Sequence, residues 1–388
     1  MPGFEVVGKE ELDQIKDIFD RGGILFRHGF DHLRNGCYKT HQFERAFAKK
    51  MGSQNALAVS SGTAALRVVL AALGIKEGDE VITQTFTFVA TVEAIIESKA
   101  NPVCADIDDT LNLCPKSLLE SITSKTKAVI VVHMLGTPAK IDEISEICSS
   151  RGIALIEDTA WGCGGSFKDK KLGTWGDIGT FSFDFAKTMT TGEGGMVVCK
   201  NNSLYEKAAA WHDHGHENNP KVPRWEDTRS SSGFNYRMME LQGALGLAQL
   251  DKLDYVIESQ RKNRDLIWNE IKDIDGVTPR VVPLGSYETA DALVFFLPSK
   301  EYAKKCRENL LTDSLGTKIL PEAYSWHFAG TWEHMPELKK SHNGNLVTAF
   351  QKSEVILQRA VALPISTIAL EETIPGRIKC AILKALNK

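Results

Sequence analysis

The chain has 388 residues, of which 43% are hydrophobic and 25% are charged, with a formal net charge of −4 and a pI of about 6.2. This length allows a large domain and a smaller one, and this composition is typical of a globular protein with a substantial core. The weakly acidic balance and the scattered basic residues argue against a surface for nucleic acid or an anionic membrane.

The cysteines and the first residues bear on the compartment. None of the eight cysteines forms a Cys-x-x-Cys pair or has zinc-finger spacing to a histidine pair, so we expect free thiols in a reducing compartment. The start lacks the basic and apolar regions of a signal peptide, and no apolar run reaches membrane-spanning length. These features predict a cytoplasmic protein.

Residues 1–54 predict two helices joined by a loop. Apolar residues recur at helical spacing in 10–19 and again in 42–51. The stretch 26–39 between them is rich in histidine, arginine, glycine and aromatic residues and shows no core face. We therefore interpret 26–39 as a loop that lines a site.

Between residues 55 and 156, short apolar runs alternate with amphipathic segments. The predicted strands are 56–59, 80–83, 102–105, 128–132 and 153–156, and the predicted helices are 63–73, 88–98, 117–123 and 141–151. Such alternation indicates a mostly parallel sheet with helices on both faces. Ligands of such sheets bind beyond the carboxyl ends of the strands, which makes the residues after each strand the candidates for a site.

Small residues follow the first predicted strand, where Gly62 and Thr63 open a helix. Free N–H groups at a helix start can hold an anion, although an ordinary N-cap by Ser61 or Thr63 explains the same residues. Phe88 follows the second strand as an aromatic platform for a ligand or as a core residue. Asp158, after the fifth strand, is either a buried partner for a cationic ligand or part of a solvated helix N-terminus.

A single lysine stands between two further apolar runs. The run 178–185 precedes Lys187, and the glycine-rich stretch 192–195 leads into a second run, 196–198. We interpret this segment as strand, tight turn and strand. Lys187 becomes a nucleophile only if burial or a neighbouring cation lowers its pKa from about 10.4 towards neutrality; otherwise it is a solvated surface lysine.

An anion site, an aromatic platform, a carboxylate and a lysine at one edge of a sheet match a specific type of ligand. A phosphorylated, pyridinium-type cofactor held as a Schiff base needs these four features, because its phosphate, its ring, its ring nitrogen and its aldehyde each need one partner. The combination therefore predicts a phosphorylated pyridine cofactor attached to Lys187.

Seven motifs in order resemble the DegT/DnrJ/EryC1/StrS family of sugar aminotransferases over nearly the whole chain. They are Ser-Gly-Thr-Ala-Ala-Leu at 61–66, Thr-Phe-Thr-Phe-Val-Ala-Thr at 85–91, Ile-Glu-Asp-Thr-Ala at 156–160, Gly-Asp-Ile-Gly-Thr-Phe-Ser-Phe at 176–183, Lys187, Gly-Glu-Gly-Gly at 192–195 and Gly-Phe-Asn-Tyr-Arg-Met at 233–238. The resemblance implies the aspartate-aminotransferase-like α/β fold (fold type I). Residues 1–250 would form a large three-layer domain, and 251–388 a smaller α+β domain.

The same resemblance implies roles for individual residues. Lys187 would carry pyridoxal phosphate and act as general acid and base, and Asp158 would pair with the ring nitrogen. Phe88 would stack on the ring. The phosphate would be bound by Gly62, Thr63, Ser182 and, from the neighbouring subunit of a homodimer, Asn235. Trp161 stands where the family usually has glutamine, which leaves the environment of the ring oxygen open.

The implied reaction moves an amino group from an amino acid, expected to be glutamate, to a keto or aldehyde sugar. Residues 1–5, 33–36 and 157–165 resemble aminotransferases that convert 8-oxo-3-deoxy-octulosonate to 8-amino-3,8-dideoxy-manno-octulosonate, a lipopolysaccharide sugar acid. Arg27 or Arg34 would then bind the acceptor's carboxylate. The alternative acceptor is a nucleotide-linked keto-deoxysugar. A non-catalytic regulator on the same fold is the remaining alternative, and the presence of Lys187 argues against it.

Two aromatic and histidine-rich stretches stay ambiguous. Trp326 and His327 lie in a predicted loop and either contact substrate or pack in the core. A metal site is suggested by three closely spaced histidines, His212, His214 and His216. The family, however, usually has a His-Gly pair near this point. We therefore predict a loop role for the three histidines and assign no metal.

Overall fold

A seven-stranded sheet forms the centre of the fold in this computed structural model, which describes residues 2–219, 221–321 and 324–388. Its strands are β1 (Asn55–Val59), β2 (Glu80–Gln84), β3 (Asn101–Ala105), β4 (Thr126–Val132), β5 (Ala154–Asp158), β8 (Ile178–Ser182) and β9 (Gly195–Cys199). They lie in the order β1-β9-β8-β5-β4-β2-β3. Only β9 runs against its neighbours β1 and β8, so the sheet is mostly parallel, as predicted.

Helices cover both faces of this sheet and give three layers. The helices of this part of the chain are α1 (Pro2–Glu5), α2 (Lys9–Asp20), α3 (Lys39–Met51), α4 (Gly62–Ala72), α5 (Ala90–Glu97), α6 (Pro115–Ser121), α7 (Ile141–Arg151), α8 (Asn202–Trp211) and α9 (Glu240–Ile271). Alternate strand residues face opposite cores: one core contains α4, α5 and α8, and the other face packs against α3, α6, α7 and α9. This is the layer arrangement expected for an α/β fold.

The C-terminal part of the chain builds a smaller unit around an antiparallel sheet. Its order is β10 (Thr278–Pro279), β12 (Ala292–Phe296) and β13 (Ala360–Pro364). The helices of this part are α10 (Lys300–Thr312), α11 (Pro336–Ser341), α12 (Leu346–Ala349), α13 (Gln351–Arg359) and α14 (Thr373–Ala385). Phe295, Leu310 and Ile382 belong to its core. A third sheet joins β11 (Ser286–Tyr287) to β6 (Ser166–Phe167) and β7 (Lys170–Lys171).

The predicted domain boundary after residue 250 lies inside α9. The amino-terminal half of this helix packs against α2 and α3, and the helix also contacts α14 of the smaller unit. A continuous helix therefore connects the two parts, and the exact division into two domains stays a prediction. In the described ranges, no helix combines the length and the apolar character that a membrane span requires.

Candidate active site

A cavity of about 420 Å³ opens at the carboxyl ends of β5 and β8. This is the edge at which ligands of parallel sheets bind. Eight of the eleven residues that the sequence singles out for cofactor or substrate line it: Gly62, Thr63, Phe88, Asp158, Ser182, Lys187, Trp326 and His327. Because of the order of the strands, residues that are far apart in the sequence thus line the same cavity.

Backbone hydrogen bonds close the turn that carries Lys187. The N–H of Phe183 donates to the carbonyl of Gly194 at 2.8 Å, and the N–H of Thr191 donates to the carbonyl of Phe183 at 2.9 Å. Gly192 has a φ of 78°, a left-handed conformation that favours glycine. Strand β8 ends at Ser182, and the apolar residues up to Phe185 belong to this closed loop instead of the strand.

The ammonium of Lys187 lies against an aromatic ring. Its Nζ is 3.6 Å from the centroid of the Trp161 ring, a cation–π distance. Burial lowers the pKa of Lys187 to about 8, the charges of Asp291 and Asp158 act in the opposite direction, and Lys318 lowers it further. Within the described part of the chain, no carboxylate oxygen lies within 4 Å of this Nζ, so the amine is held without an ion pair.

Two charged residues that the sequence analysis missed surround this lysine. Lys318 Nζ lies 2.7 Å from both carboxylate oxygens of the buried Asp291, and 4.9 Å from the Trp161 ring centroid. Trp161 therefore contacts two ammonium groups. Neither Lys318 nor Asp291 belongs to a motif, and the only signal in the sequence is the tryptophan at position 161 where a glutamine is usual.

Asp158, the last residue of β5, is 6% exposed. Its Oδ1 accepts a hydrogen bond from the N–H of Ala160 at 3.1 Å, and its Oδ2 accepts one from the hydroxyl of Thr91 at 3.3 Å. Burial raises the pKa of Asp158, because two weak donors and the distant Lys187 do not replace lost water. A cationic group in the cavity would supply the missing partner.

The neighbouring carboxylate, Glu157, has a different role. It is fully buried and accepts hydrogen bonds from the backbone N–H groups of Gly173, Trp175 and Gly176 at 2.9, 2.5 and 2.8 Å. These bonds hold the loop that leads into β8. Asp158, like Glu157, is buried, so the alternative that Asp158 belongs to a solvated helix N-terminus is wrong.

The start of α4 presents free backbone donors to the cavity. Ser61 is the N-cap, since its Oγ accepts from the N–H of Ala64 at 3.0 Å and its carbonyl accepts from Ala65. The N–H groups of Gly62 and Thr63 have no partner within the helix. A Cβ at Gly62 would lie 2.7 Å from Cβ of Ser182, so only glycine allows this close approach. The capping interpretation and the anion-site interpretation are therefore compatible. Ser61 caps α4, and the next two residues face the cavity.

The family of the chain follows from a comparison with known proteins. Residues 30–375 match the model of the DegT/DnrJ/EryC1/StrS aminotransferase family. The chain belongs to this family. The predicted family, fold and enzyme class, an aminotransferase, are confirmed.

Individual relatives of this aminotransferase support the assignment. It is 34% identical to a GDP-perosamine synthase of Vibrio cholerae over 359 residues, which is 91% of this chain and 90% of that protein. It is 41% identical to a GDP-perosamine synthase of Escherichia coli O157:H7 over 234 residues, which is 60% of this chain and 63% of that protein. Among solved structures, 3-amino-5-hydroxybenzoic acid synthase superposes with a TM-score of 0.82 at 27% identity, covering 98% and 97% of the two chains.

Trp326 and His327 form one wall of the aminotransferase cavity. Their carbonyls accept hydrogen bonds from the N–H groups of Val89 and Thr87 at 2.8 and 3.0 Å, which joins this segment to the end of β2. The Phe88 ring lies 6.0 Å from Trp326 and 5.4 Å from His327 between ring centroids. Trp326 is 63% exposed, so it is a residue of the cavity mouth and not of the core.

Arg27 and Arg34 do not line the aminotransferase cavity of the single chain, and the prediction that one of them binds a substrate carboxylate stays a prediction. Arg27 is 3% exposed and its Nη2 lies 2.5 Å from the carboxylate of Glu44. Arg34 is 1% exposed, with its Nη2 3.4 Å from Glu240. The predicted loop 26–39 is thus held by internal ion pairs and does not line the cavity.

Asn235 lies outside the cavity of the single chain. The Asn235 side chain is exposed, and its Oδ1 accepts a hydrogen bond from the N–H of Arg237 at 3.3 Å. The predicted contact with the phosphate of a neighbouring subunit stays a prediction.

The three clustered histidines have separate surroundings. His212 is buried with its Nδ1 2.5 Å from the carbonyl of Ala209, His216 Nδ1 is 3.0 Å from Asp227, and His214 is exposed. Across the described ranges, no three histidine, cysteine or acidic side chains are placed to hold a metal ion together.

Proposed function

We propose that this aminotransferase uses pyridoxal phosphate to move an amino group from an amino acid, glutamate by resemblance, to the keto or aldehyde carbon of a sugar. One observation carries the proposal. Lys187, Asp158 and the free amino-terminal end of α4 line the same cavity.

The residues present fit pyridoxal phosphate on three independent counts. The N–H groups of Gly62 and Thr63, with the hydroxyl of Ser182 against them, suit a phosphate. Asp158 has a pKa raised by burial and lacks a cationic partner, which a protonated ring nitrogen would provide. Phe88 and Trp161 offer aromatic surface to a flat ring. When bound, the cofactor supplies an aldehyde and a ring that withdraws electrons from the substrate carbon.

Lys187 supplies the amine and moves the proton. At pH 7 a pKa of about 8 leaves about 10% of this lysine as the free amine, against about 0.03% for an ordinary lysine. Only the free amine attacks a carbonyl carbon or accepts a proton. We assign to its Nζ the proton that leaves the α-carbon of the donor and, in the second half of the reaction, the proton delivered to the sugar carbon.

Two acceptors are supported by different observations. Two of the relatives that the chain matches are GDP-perosamine synthases, which favours a nucleotide-linked keto-deoxysugar. The motifs at 1–5, 33–36 and 157–165 favour 8-oxo-3-deoxy-octulosonate. Since Arg27 and Arg34 are paired internally, an acidic acceptor would need another cation, and Lys318 is the cationic side chain closest to Trp161 after Lys187.

We also propose a homodimer with a shared site. The exposed Asn235 is accompanied by exposed aromatic side chains, Phe26, Phe30 and Phe234, on the segments around it. Such a surface on one chain is suited to cover by a second copy. In that dimer Asn235 would donate its amide to the phosphate bound in the neighbouring subunit.

The test is an amino-transfer assay with both acceptors in parallel. Protein loaded with pyridoxal phosphate receives glutamate and either 8-oxo-3-deoxy-octulosonate or a GDP-linked 4-keto-6-deoxysugar, and 2-oxoglutarate is measured. Release of more than one equivalent of 2-oxoglutarate per bound cofactor with one acceptor identifies that acceptor. Release that stops at one equivalent with both acceptors, from protein that has taken up the cofactor, contradicts the proposed sugar reaction.

A further inference from the structure

We infer that the N-terminal segment, residues 2–11, is a positioning element for Lys187. This inference rests on the proposed role of Lys187 as the residue that carries the cofactor. The segment includes α1 and the start of α2, and it joins the lysine turn, α9 and the smaller C-terminal unit.

The first contact is made by Gly3 on the backbone of the lysine residue itself. The N–H of Gly3 donates to the carbonyl of Lys187 at 3.0 Å. A Cβ on Gly3 would lie 2.8 Å from Cα of Met189 and 2.9 Å from the Lys187 carbonyl oxygen. These are backbone atoms that cannot move as a flexible side chain can, so only glycine allows the segment to approach the turn this closely.

A second contact passes through α9. The side-chain carbonyl of Gln249 accepts the N–H of Thr190 at 3.1 Å, and its amide donates to the Glu11 carboxylate at 2.8 Å. Lys252 donates to the same carboxylate and to the carbonyl of Val6. Gln249 is buried, and this bridge therefore connects the end of the lysine turn to the segment from the opposite side.

A third contact ties the segment to the C-terminal unit. The carboxylate of Glu5 accepts hydrogen bonds from the hydroxyl of Ser366 and from the N–H and hydroxyl of Thr367, at 2.8, 2.7 and 2.6 Å. Bonds to an ionised acceptor are stronger than those between neutral groups. The segment is thus fixed at Glu5 and at Glu11, and Gly3, two residues before Glu5, is held against the turn.

The arrangement matters because the turn from Asp184 to Thr191 is otherwise closed mainly by its own hydrogen bonds. A displacement of about 1 Å in a reacting group can lower a rate by about a hundredfold. The segment holds the main chain at Lys187 and so restricts where its Nζ lies, although none of its residues lines the cavity.

The test compares two alanine variants of the same segment. Gly3→Ala places a Cβ against backbone, whereas Gly8→Ala is the matched control, since the nearest atom to its Cβ is a Glu10 carboxylate oxygen at 3.7 Å. The apoprotein is mixed rapidly with increasing pyridoxal phosphate, and the rise in absorbance gives a limiting rate of attachment and a half-saturating concentration. Borohydride reduction and peptide mass analysis confirm that the label is on Lys187.

We expect Gly3→Ala to lower the limiting rate at least about tenfold while the half-saturating concentration stays within about twofold, because the phosphate site is unchanged. Gly8→Ala should match the wild type in both. Amide hydrogen exchange in peptides spanning 184–191 of the apoprotein should be faster in Gly3→Ala alone. Glu5→Gln, which adds no volume, should lower the limiting rate about threefold, and it serves as the test if Gly3→Ala does not fold.

The inference is contradicted if the limiting rate of Gly3→Ala equals that of the Gly8→Ala control. The same holds for Glu5→Gln if Gly3→Ala does not fold. Either result leaves the proposed function intact. A wild-type protein that attaches no cofactor at Lys187 contradicts the proposed function and this inference with it.

Discussion

Two regions of this molecule enclose cationic side chains, and they treat these charges in opposite ways. In the loop before α3, Arg27 and Arg34 are ion-paired with Glu44 and Glu240. In the cavity, Lys187 lies against the Trp161 ring, with a pKa lowered to about 8. In the first region the ion pairs hold the chain together. In the second, the Lys187 ammonium loses its proton more easily than an ordinary lysine does.

This difference shows why residue type alone does not identify a site. An arginine beside aromatic and histidine residues looks like a substrate ligand in the sequence, but a carboxylate from a distant helix completes its bonding. A lysine becomes reactive when burial removes water and nothing of opposite charge takes its place. The decisive quantity is therefore the pairing of each charge, which depends on the tertiary structure.

The largest effect is expected from removing the unpaired amine. Lys187→Ala should lower amino transfer at least about a thousandfold, because it removes both the nucleophile and the proton carrier. Lys116→Ala is the control, since the Lys116 side chain is 84% exposed and distant from the cavity lining. Steady-state release of 2-oxoglutarate measures both, and activity of Lys187→Ala near that of the control contradicts the role of Lys187.

Adjacent carboxylates should separate activity from stability. Asp158→Asn is expected to lower turnover about a hundredfold or more with a small change in melting temperature, because the anion that faces the cavity is lost. Glu157→Gln is expected to lower the free energy of unfolding by about 2–4 kcal/mol, because one amide oxygen cannot replace a carboxylate that accepts three backbone N–H groups. Denaturant titration and turnover should rank the two variants in opposite order; the same ranking by both contradicts the division of roles.

The paired arginines should behave as structural residues. Arg27→Met leaves Glu44 buried without its cation and is expected to lower the free energy of unfolding by about 3–5 kcal/mol. Turnover per folded molecule should remain within about twofold of the wild type. Urea unfolding measures the free energy of unfolding, and active-site titration gives the concentration of folded enzyme to which turnover is normalised. A selective rise in KM for the sugar, without loss of stability, would restore Arg27 as a substrate ligand.

The smallest effects are opposite shifts in pH dependence. The attachment rate should follow the free amine of Lys187 and rise about fivefold between pH 7 and pH 8, with a midpoint at about 8. Lys318→Met should move the midpoint up, since the neighbouring ammonium lowers the pKa of Lys187. Trp161→Gln should move it down by less than about one unit, because the ring contact stabilises the charged form. Attachment rates measured from pH 6 to 10 give the midpoints. If the midpoints of Lys318→Met and Trp161→Gln move in the same direction, the roles assigned to Lys318 and Trp161 are contradicted.

The sequence predicts the local parts of this site well. The lysine turn, the glycine at the start of α4 and the carboxylate at the end of β5 all depend on neighbours within a few residues, and the parallel sheet brings them to one edge. Most predicted helices and strands agree with the structure to within a few residues, because their apolar periodicity is strong.

The remaining parts depend on contacts between residues distant in sequence. Arg34 and Glu240 are paired across 206 positions, and Lys318, which is paired with Asp291, reaches Trp161 from the C-terminal unit. The support of Lys187 by Gly3 has no motif at all. No local pattern encodes such contacts, and the glycine at position 3 acquires meaning only from the backbone that it meets.

The central claim, that the amine of Lys187 is the one that takes the cofactor, is tested most directly by mapping the bond. Protein incubated with pyridoxal phosphate is reduced with borohydride and digested, and the peptides are analysed by mass spectrometry. We predict one pyridoxyl group per chain, on Lys187, in the wild type and none in Lys187→Ala. A label on another lysine, or equal labelling of the variant, would contradict it.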